Sequence, residues 1–461
     1  MPINSFIYPA PSTPSAYSVA NSCRFNDDDS AYMHKTPGGA GDRRTFTFSC
    51  WFKRANIGLD HSYFIDCDNG ASQSENPVAF RDDYLQFSAW NGSSNDFTLK
   101  TSQVFRDVSA WYHIVVAVDT TQGTAANRVK MYVNGTQVTS WTTETYPDQN
   151  YDMGLNTANQ HSIGRWQDGD ARYFDGYMAE VVFIDGTQYA ASDFGEFDED
   201  SPTIWKPIDV SGLTFGTNGF YLDFEASDNL GNDANGGTDL TEVNLAAADQ
   251  CQDSPTNNFC TLNPLDVNVA ADLTSTEGNT IFEGARYKAT FGVSSGKWYW
   301  EVKRVNAPDN AYLGIKGDDG DWTNAYANSY TTYTYNGNYY LNGSSQGSYG
   351  DSSTTNDILM FALDMDNGKF YIGENGTWHN SGDPAAGSNE MASSISGTYL
   401  PAVINNTTDG TDQYSFNFGN PSFTISSGNA DADGYGNFEY APPSGTNTFY
   451  ALCTKNLAEY G

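Results

Sequence analysis

The feature that most restricts this chain is a two-residue rhythm of apolar side chains, interrupted by short runs of Gly, Asn and Asp. In Thr45-Phe46-Thr47-Phe48-Ser49-Cys50-Trp51-Phe52, residues Phe46, Phe48, Cys50 and Phe52 share one face of an extended strand, because successive strand side chains point to opposite sides. The rhythm returns at residues 297–303, where Trp298, Trp300 and Val302 point one way and Tyr299, Glu301 and Lys303 the other. Residues 111–119, Trp-Tyr-His-Ile-Val-Val-Ala-Val-Asp, are apolar enough for a strand in the middle of a sheet. The turn chemistry agrees. Asn134-Gly135 follows the strand-like run 128–133 and supplies the positive φ angles of a tight hairpin. Asp366-Asn367-Gly368 and Glu374-Asn375-Gly376 separate further strand-like runs in the same way. No stretch carries Ala, Leu, Glu and Lys at helical spacing for several turns, and no apolar run approaches membrane-spanning length. Such a chain is expected to be all-β, with antiparallel sheets packed as sandwiches.

With 461 residues the chain is too long for one sandwich core and suits two in tandem. The expected division is a first sandwich over 1–205, a connector over 206–262, and a second sandwich with a C-terminal extension over 263–461. The connector is turn-rich around residues 232–239 and 253–255, yet holds too many apolar residues for a free linker. It is expected to be ordered and to pack on one or both domains.

Charge narrows the partners. Asp and Glu number 57 against 22 Lys and Arg, a formal net charge of -35. Nucleic acid would be repelled, whereas cations such as Ca²⁺ would find ligands. The opening MPINSFIYPAPSTP has no basic segment followed by an apolar one, so no secretory signal is expected, nor membrane insertion. The six cysteines, Cys23, Cys50, Cys67, Cys251, Cys260 and Cys453, match no zinc spacing. Cys251 and Cys260 could close a small loop, but free thiols are favoured.

Two family resemblances follow from motif order. Phe48-Ser49-Cys50-Trp51-Phe52, Trp111-Tyr112-His113, Met131-Tyr132-Val133-Asn134-Gly135, Ile163-Gly164-Arg165 and Phe174-Asp175-Gly176-Tyr177-Met178-Ala179-Glu180-Val181 come in the order seen in laminin-G-like, concanavalin A-like domains. The resemblance covers residues 20 to 205 and implies a two-sheet jelly roll. Over residues 265 to 425 the chain resembles a SPRY domain, also a two-sheet sandwich. The signatures there are Trp298-Tyr299-Trp300-Glu301-Val302, the Asp364-Met365-Asp366-Asn367-Gly368 hairpin, Asn375-Gly376-Thr377-Trp378 and Leu400-Pro401-Ala402-Val403. The C-terminal runs 434–445 and 451–457 resemble segments of structural proteins of tailed, especially marine, bacteriophages. That resemblance implies a virion protein displayed on the particle exterior, with other virion proteins as partners. It also implies a homo-oligomer, a trimer being frequent among fibres and spikes, although no trimerising coiled coil is visible.

Binding residues are sought where aromatic rings lie among small polar residues, because sugars stack their C–H faces on rings while polar groups fix orientation. Residues 322–349 carry Trp322, Tyr326, Tyr330, Tyr333, Tyr335, Tyr339, Tyr340 and Tyr349 among Asn, Ser, Thr and Gly. Strand alternation would turn some of these inward, so a packing role and a binding role both stay open. A smaller candidate is the loop 166–173, with Trp166 and Arg172, whose plainer reading is a polar turn before a strand. Asp318, Asp319 and Asp321 surround a Gly turn and supply part of a Ca²⁺ ligand set. The acidic runs at 364–368 and 431–434 have the same character, the former reading as a hairpin turn.

Catalytic signals are weak. Gly292-Val293-Ser294-Ser295-Gly296 fits the G-x-S-x-G pattern, but a nucleophile elbow needs a helix after it, and here a strand follows. None of the five histidines, His34, His61, His113, His161 and His379, sits at metal-pair spacing. Glycanases of this fold class carry acidic residues along one strand face; Glu180 and Asp185 are the nearest approach. No catalytic residue is therefore expected. The expected function is a phage virion appendage that binds a host-surface glycan or receptor. The alternatives are a decoration protein that binds only other virion proteins and, as a minority reading, a glycan-degrading enzyme.

Overall fold

The computed structural model describes residues 17–59, 61–67, 76–166, 172–267, 277–282, 286–306, 311–319, 322, 324–405 and 412–461. Among them strands dominate and helices are few and short. No helix is long and apolar enough to cross a membrane. The chain forms two compact units, divided between Thr256 and Asn257.

In the first unit one sheet runs Thr136–Gln137, Val129–Val133, Tyr112–Asp119, Thr45–Arg54, Gly176–Asp185, Ser22–Phe25, Gln250–Cys251. The other runs Trp141–Thr145, Asn95–Val104, Tyr84–Trp90, Val78–Arg81, Ser62–Cys67, His161–Ile163, Tyr32–Lys35, Thr241–Val243. Alternation decides what faces inward. Phe46, Phe48, Cys50 and Phe52 from the first sheet meet Phe64, Phe80, Leu85 and Phe87 from the second in one core. The Asn134-Gly135 turn has φ of 45° and 75°, as a two-residue hairpin of this hand requires. All six cysteines are buried, and none is joined in a disulfide among the described residues.

The first sheet is covered on its other face too. Val115, Ala117, Val182 and Ile184 pack there against Phe194, Val210, Phe215 and Tyr221. This double burial explains the unbroken apolar run at 114–118, which a half-solvated strand would not carry.

The expected connector does not stand apart. Residues 206–256 belong to the first unit, which reaches Thr256 rather than residue 205. Three short strands attach them: Phe220–Leu222 beside Gly176–Asp185, Thr241–Val243 beside Tyr32–Lys35, and Gln250–Cys251 beside Ser22–Phe25. A buried ion pair adds to this. Lys53 Nζ lies 2.8 Å from Asp253 Oδ2, and Trp111 Nε1 donates to Asp253 Oδ1 at 2.8 Å. The second unit begins at Asn257, not at residue 263.

The second unit repeats the architecture. One sheet runs Leu262–Val267, Arg286–Ala289, Tyr399–Asn405, Ala311–Gly317, Ser329–Tyr333, Asn338–Leu341, Ser344–Ser348. The other runs Thr280–Phe282, Gln413–Asn417, Lys297–Asn306, Ile358–Asp364, Lys369–Glu374, Thr377–Trp378. Trp298, Trp300 and Val302 enter the core with Phe361, Phe370 and Phe416. Tyr299 and Glu301 face the other way, as their alternation demands. Tyr299 meets Phe438 edge-on at 5.0 Å. The buried Glu301 carboxylate accepts the backbone N–H of Glu439 at 3.0 Å and of Tyr440 at 2.7 Å. The C-terminal segment is thereby fixed over the outer face of this sheet.

Candidate functional site

The strand Tyr84–Trp90 places Leu85, Phe87 and Ala89 in the core, which sends Gln86, Ser88 and Trp90 to the outer face of the sheet. Arg81, at the end of the neighbouring strand Val78–Arg81, lies on the same side. Residues 166 and 172 approach from the segment between His161–Ile163 and Gly176–Asp185. Pro77, Arg81, Ser88, Trp90, Asn95, Trp166 and Arg172 line a cleft of about 250 Å³. That is just below the range for drug-sized ligands, which suits a small unit such as a saccharide in an open groove.

The polar groups of the cleft are arginine-rich. Arg81 Nη2 and Arg172 Nη1 both donate to the Tyr63 hydroxyl, each at 3.4 Å. Burial pushes the Tyr63 phenol up to about 12, so it stays a neutral acceptor. The Arg172 guanidinium lies 4.1 Å from the centre of the Trp166 ring, a cation–π contact. Arg165 covers Tyr32 in the same way at 3.7 Å. Arg172 has φ of 75°, a left-handed conformation that costs a residue with a Cβ about 1–2 kcal/mol. Trp90 is 37% exposed. The cleft therefore offers two indole faces, two guanidiniums, a hydroxyl and an amide. None of its described lining residues is acidic, so among them there is no acid–base pair for glycoside hydrolysis.

Trp166 and Arg172 were legible in the sequence, and the structure brings them together. The sequence alone does not single out Arg81, Ser88, Trp90 and Asn95. Their signal was the alternation of 84–90, which sets a large aromatic ring at an outward position.

The aromatic segment of the second unit is divided by the sheet. Tyr330 and Tyr339 turn to the core side and pack against it, as does Tyr349. Tyr333 lies opposite Tyr312 on the neighbouring strand, their rings stacked at 4.5 Å. Tyr326 and Tyr340 stand edge-on to Tyr312 at 5.1 and 5.0 Å. Tyr335 continues the group, 6.1 Å from Tyr333 and 64% exposed. Trp322 is buried. Its Nε1 donates to Asp266 Oδ1 at 2.8 Å, and its ring covers Lys288 and Lys316, whose Nζ atoms lie 5.7 and 5.4 Å away. Trp322 thus caps two buried cations. The tyrosines left on the outer face pack mainly on one another.

The acidic runs are held within the fold. Asp319 faces Lys316 Nζ at 3.8 Å, Asp318 is exposed beside it, and Asp321 lies outside the described residues. Asp366 Oδ2 meets Lys297 Nζ at 2.5 Å. Asp431 accepts the backbone N–H of Tyr435 and Ala451. Among the described residues no group of three or more His, Cys, Asp or Glu is gathered around a possible metal position.

Two arrangements resemble catalytic ones. Ser49 Oγ lies 2.8 Å from His113 Nε2, but Trp205 Nε1 donates to His113 Nδ1 at 3.0 Å. Nδ1 is thus the acceptor nitrogen and Nε2 carries the proton, so His113 cannot take a proton from Ser49. Burial also lowers His113 to about 3. Glu180 is raised by burial to about 7, and its carboxyl group is held by the Tyr17 and Tyr221 hydroxyls at 2.9 and 2.8 Å. Asp185 accepts the backbone N–H of Asp42 and of Asn218. Ser294 of the G-x-S-x-G run is followed by the strand Lys297–Asn306, with no helix.

Residues 27–191 match the family model Laminin_G_3, of the concanavalin A-like lectin/glucanases superfamily. No curated protein matches the chain. Among solved structures the chain is similar to mouse laminin alpha1 chain domains LG4-5, with 8% identity, 88% of this chain and 89% of that chain covered, and a TM-score of 0.32. It is similar to the SPRY domain of human HERC1, with 18% identity, 34% and 96% covered, and a TM-score of 0.29. It is also similar to a protein of Bacteroides ovatus ATCC 8483 proposed to bind carbohydrate, with 20% identity, 49% and 58% covered, and a TM-score of 0.33. The fold is all-β, of the concanavalin A-like, laminin-G type.

Proposed function

We propose that this chain is a non-catalytic binding protein that holds carbohydrate in the cleft of its first unit. The observation that carries the reading is the meeting of Trp90 and Trp166 with Arg81, Arg172, Ser88 and Asn95 in one cleft. Indole faces stack on sugar C–H groups, and the polar donors fix the ring's orientation. A superfamily that hosts lectins and glucanases alike leaves the reaction to the site, and the described lining of this cleft supplies binding groups without an acid pair. A glycan array probed with the full chain tests the reading. Binding to at least one glycan class is expected, with loss in Trp166→Ala. Array binding that ignores this substitution would remove the cleft from the account, and release of reducing sugar would make the chain an enzyme.

The phage resemblance of the C-terminal runs supports a setting for this activity: an appendage on the exterior of a tailed-phage virion, bound to other virion proteins and engaging a host-surface glycan or receptor. In a trimer the single-site affinity would be multiplied by effective concentration. Mass spectrometry of purified particles, together with light scattering of the isolated chain, tests this setting. A monomer found in no particle fraction would contradict it. Ca²⁺ at Asp318 and Asp319 is a separate proposal, tested by whether Ca²⁺ raises the thermal midpoint of the second unit.

A further inference from the structure

The chain has 57 acidic and 22 basic side chains; some of its arginines have an acidic neighbour, while others, such as Arg43 and Arg128, hydrogen-bond backbone carbonyls. Arg24, Arg44, Arg54 and Arg106 each have an acidic neighbour: Asp249, Asp152, Asp83 and Asp83. Arg81 and Arg172 do not, among the described residues. Both instead reach one neutral phenol, that of Tyr63, which makes the two guanidiniums neighbours; Asp66 is in electrostatic reach of the same phenol but forms no ion pair with either arginine among the described residues. The Nε of Arg81 is buried and has no hydrogen-bond partner among the described residues, and neither has the Nε1 of Trp166. Two like charges side by side and donors left unmet are both costly arrangements. Arg172 also holds a left-handed backbone, φ 75°. These costs fall on one cleft, and a bound anion would relieve the first.

We propose that the cleft selects a sugar bearing a carboxylate, with the ring stacked on Trp90 or Trp166 and the carboxylate taken by Arg81 and Arg172. This rests on the carbohydrate reading above and names the class of sugar. A guanidinium presents parallel N–H donors that match the two oxygens of a planar carboxylate. The strong negative charge of the whole chain does not oppose this. Its field is screened within about 8 Å at physiological salt, and the cleft itself is lined by two cations and no described acid. A single carboxylate on a short saccharide suits such a site better than a dense polyanion, which would extend over the acidic surface.

The test uses three ligands with one ring: methyl β-D-glucuronide, methyl β-D-glucoside and methyl β-D-glucoside 6-sulfate. Each is titrated against the full chain by ligand-observed saturation-transfer NMR. The glucuronide is expected to bind about ten-fold more tightly than the glucoside, the effect of a charge-assisted pair. Arg81→Gln and Arg172→Gln should each lower glucuronide affinity by much more than glucoside affinity, and so remove most of that difference. Arg172→Lys, which keeps the charge but loses the fork, should fall between. Unchanged thermal midpoints in Arg81→Lys and Arg172→Lys would show that the fold is intact. Equal binding of glucuronide and glucoside, both lost in Trp166→Ala, would overturn the acidic preference and leave the carbohydrate reading standing. Binding of the sulfate as tight as that of the glucuronide would overturn the assignment to a planar carboxylate. No binding of any of the three, with an array that ignores Trp166→Ala, would overturn both.

Discussion

Asp253→Ala should destabilise the first unit by about 4 kcal/mol, and the reason lies 200 residues away. Asp253 and Lys53 are both essentially without solvent contact, with side-chain exposures of 1% and 0% and an N–O distance of 2.8 Å. Removing one partner strands an ammonium in the interior, which costs about 3–5 kcal/mol. Loss of the acceptor for Trp111 Nε1 adds to this, since an unmet buried donor costs about 1–3 kcal/mol. The double variant Lys53→Met with Asp253→Asn removes both charges and keeps an oxygen for Trp111. It should lose only about 1 kcal/mol, about 3 kcal/mol less than Asp253→Ala. Urea unfolding of the full chain measures the total. Hydrogen exchange of peptides covering 45–54 and 112–119 assigns the loss to the first unit. A cost below about 1 kcal/mol for Asp253→Ala, or rapid exchange at 220–222 and 250–251 in the parent chain, would refute the idea that residues 206–256 are part of this sandwich.

Other predictions follow from single side chains. Burial raises Glu180 from 4.5 to about 7, against a background that includes Asp223, Glu225 and the hydroxyls of Tyr17 and Tyr221. A carboxyl group raised in the folded state contributes fully below its unfolded pKa, and the contribution is lost as pH rises through the folded value. Glu180→Gln should therefore gain about 3 kcal/mol relative to the parent between pH 4.5 and pH 8; a pH-independent difference in urea midpoints would contradict this. Tyr330→Ala, on the core side, should cost about 3 kcal/mol, whereas Tyr335→Ala, 64% exposed, should stay within about 0.5 kcal/mol, both read by thermal unfolding. EDTA should leave glycan binding unchanged, because none of the cleft's described lining residues is acidic; loss of binding on chelation would place a metal in the site.

The strands that could be read from the sequence are those with a period of their own. Phe46 to Phe52 and Trp298 to Val302 alternate, and each alternation matches the observed core. The first unit's reach to Thr256 could not be read, because strands of two or three residues such as Gln250–Cys251 carry no period and take their partner from distant chain. The Lys53–Asp253 pair is invisible for the same reason. Trp166 and Arg172 stood out because they are close in sequence. Arg81 and Trp90 come from separate strands, and only the pleat brings them beside Trp166. The run 322–349 was legible as aromatic but not as two faces: pairing with 311–317 decides that Tyr333 and Tyr340 go outward and Tyr330 and Tyr339 inward. The cover that Trp322 forms over Lys288 and Lys316 depends on three separate elements and left no local trace.

The central claim is that the cleft between Trp90 and Trp166 binds sugar while the tyrosine face of the second unit does not. Isothermal titration of the full chain with the strongest glycan from an array tests it directly. The parent chain and the Tyr333→Ala/Tyr335→Ala variant should bind alike, and Trp90→Ala and Trp166→Ala should each weaken binding by about ten-fold or more, the loss of one ring's stacking. Unchanged affinity in both tryptophan variants, with loss in the tyrosine variant, would contradict the account and move the binding site to the second unit.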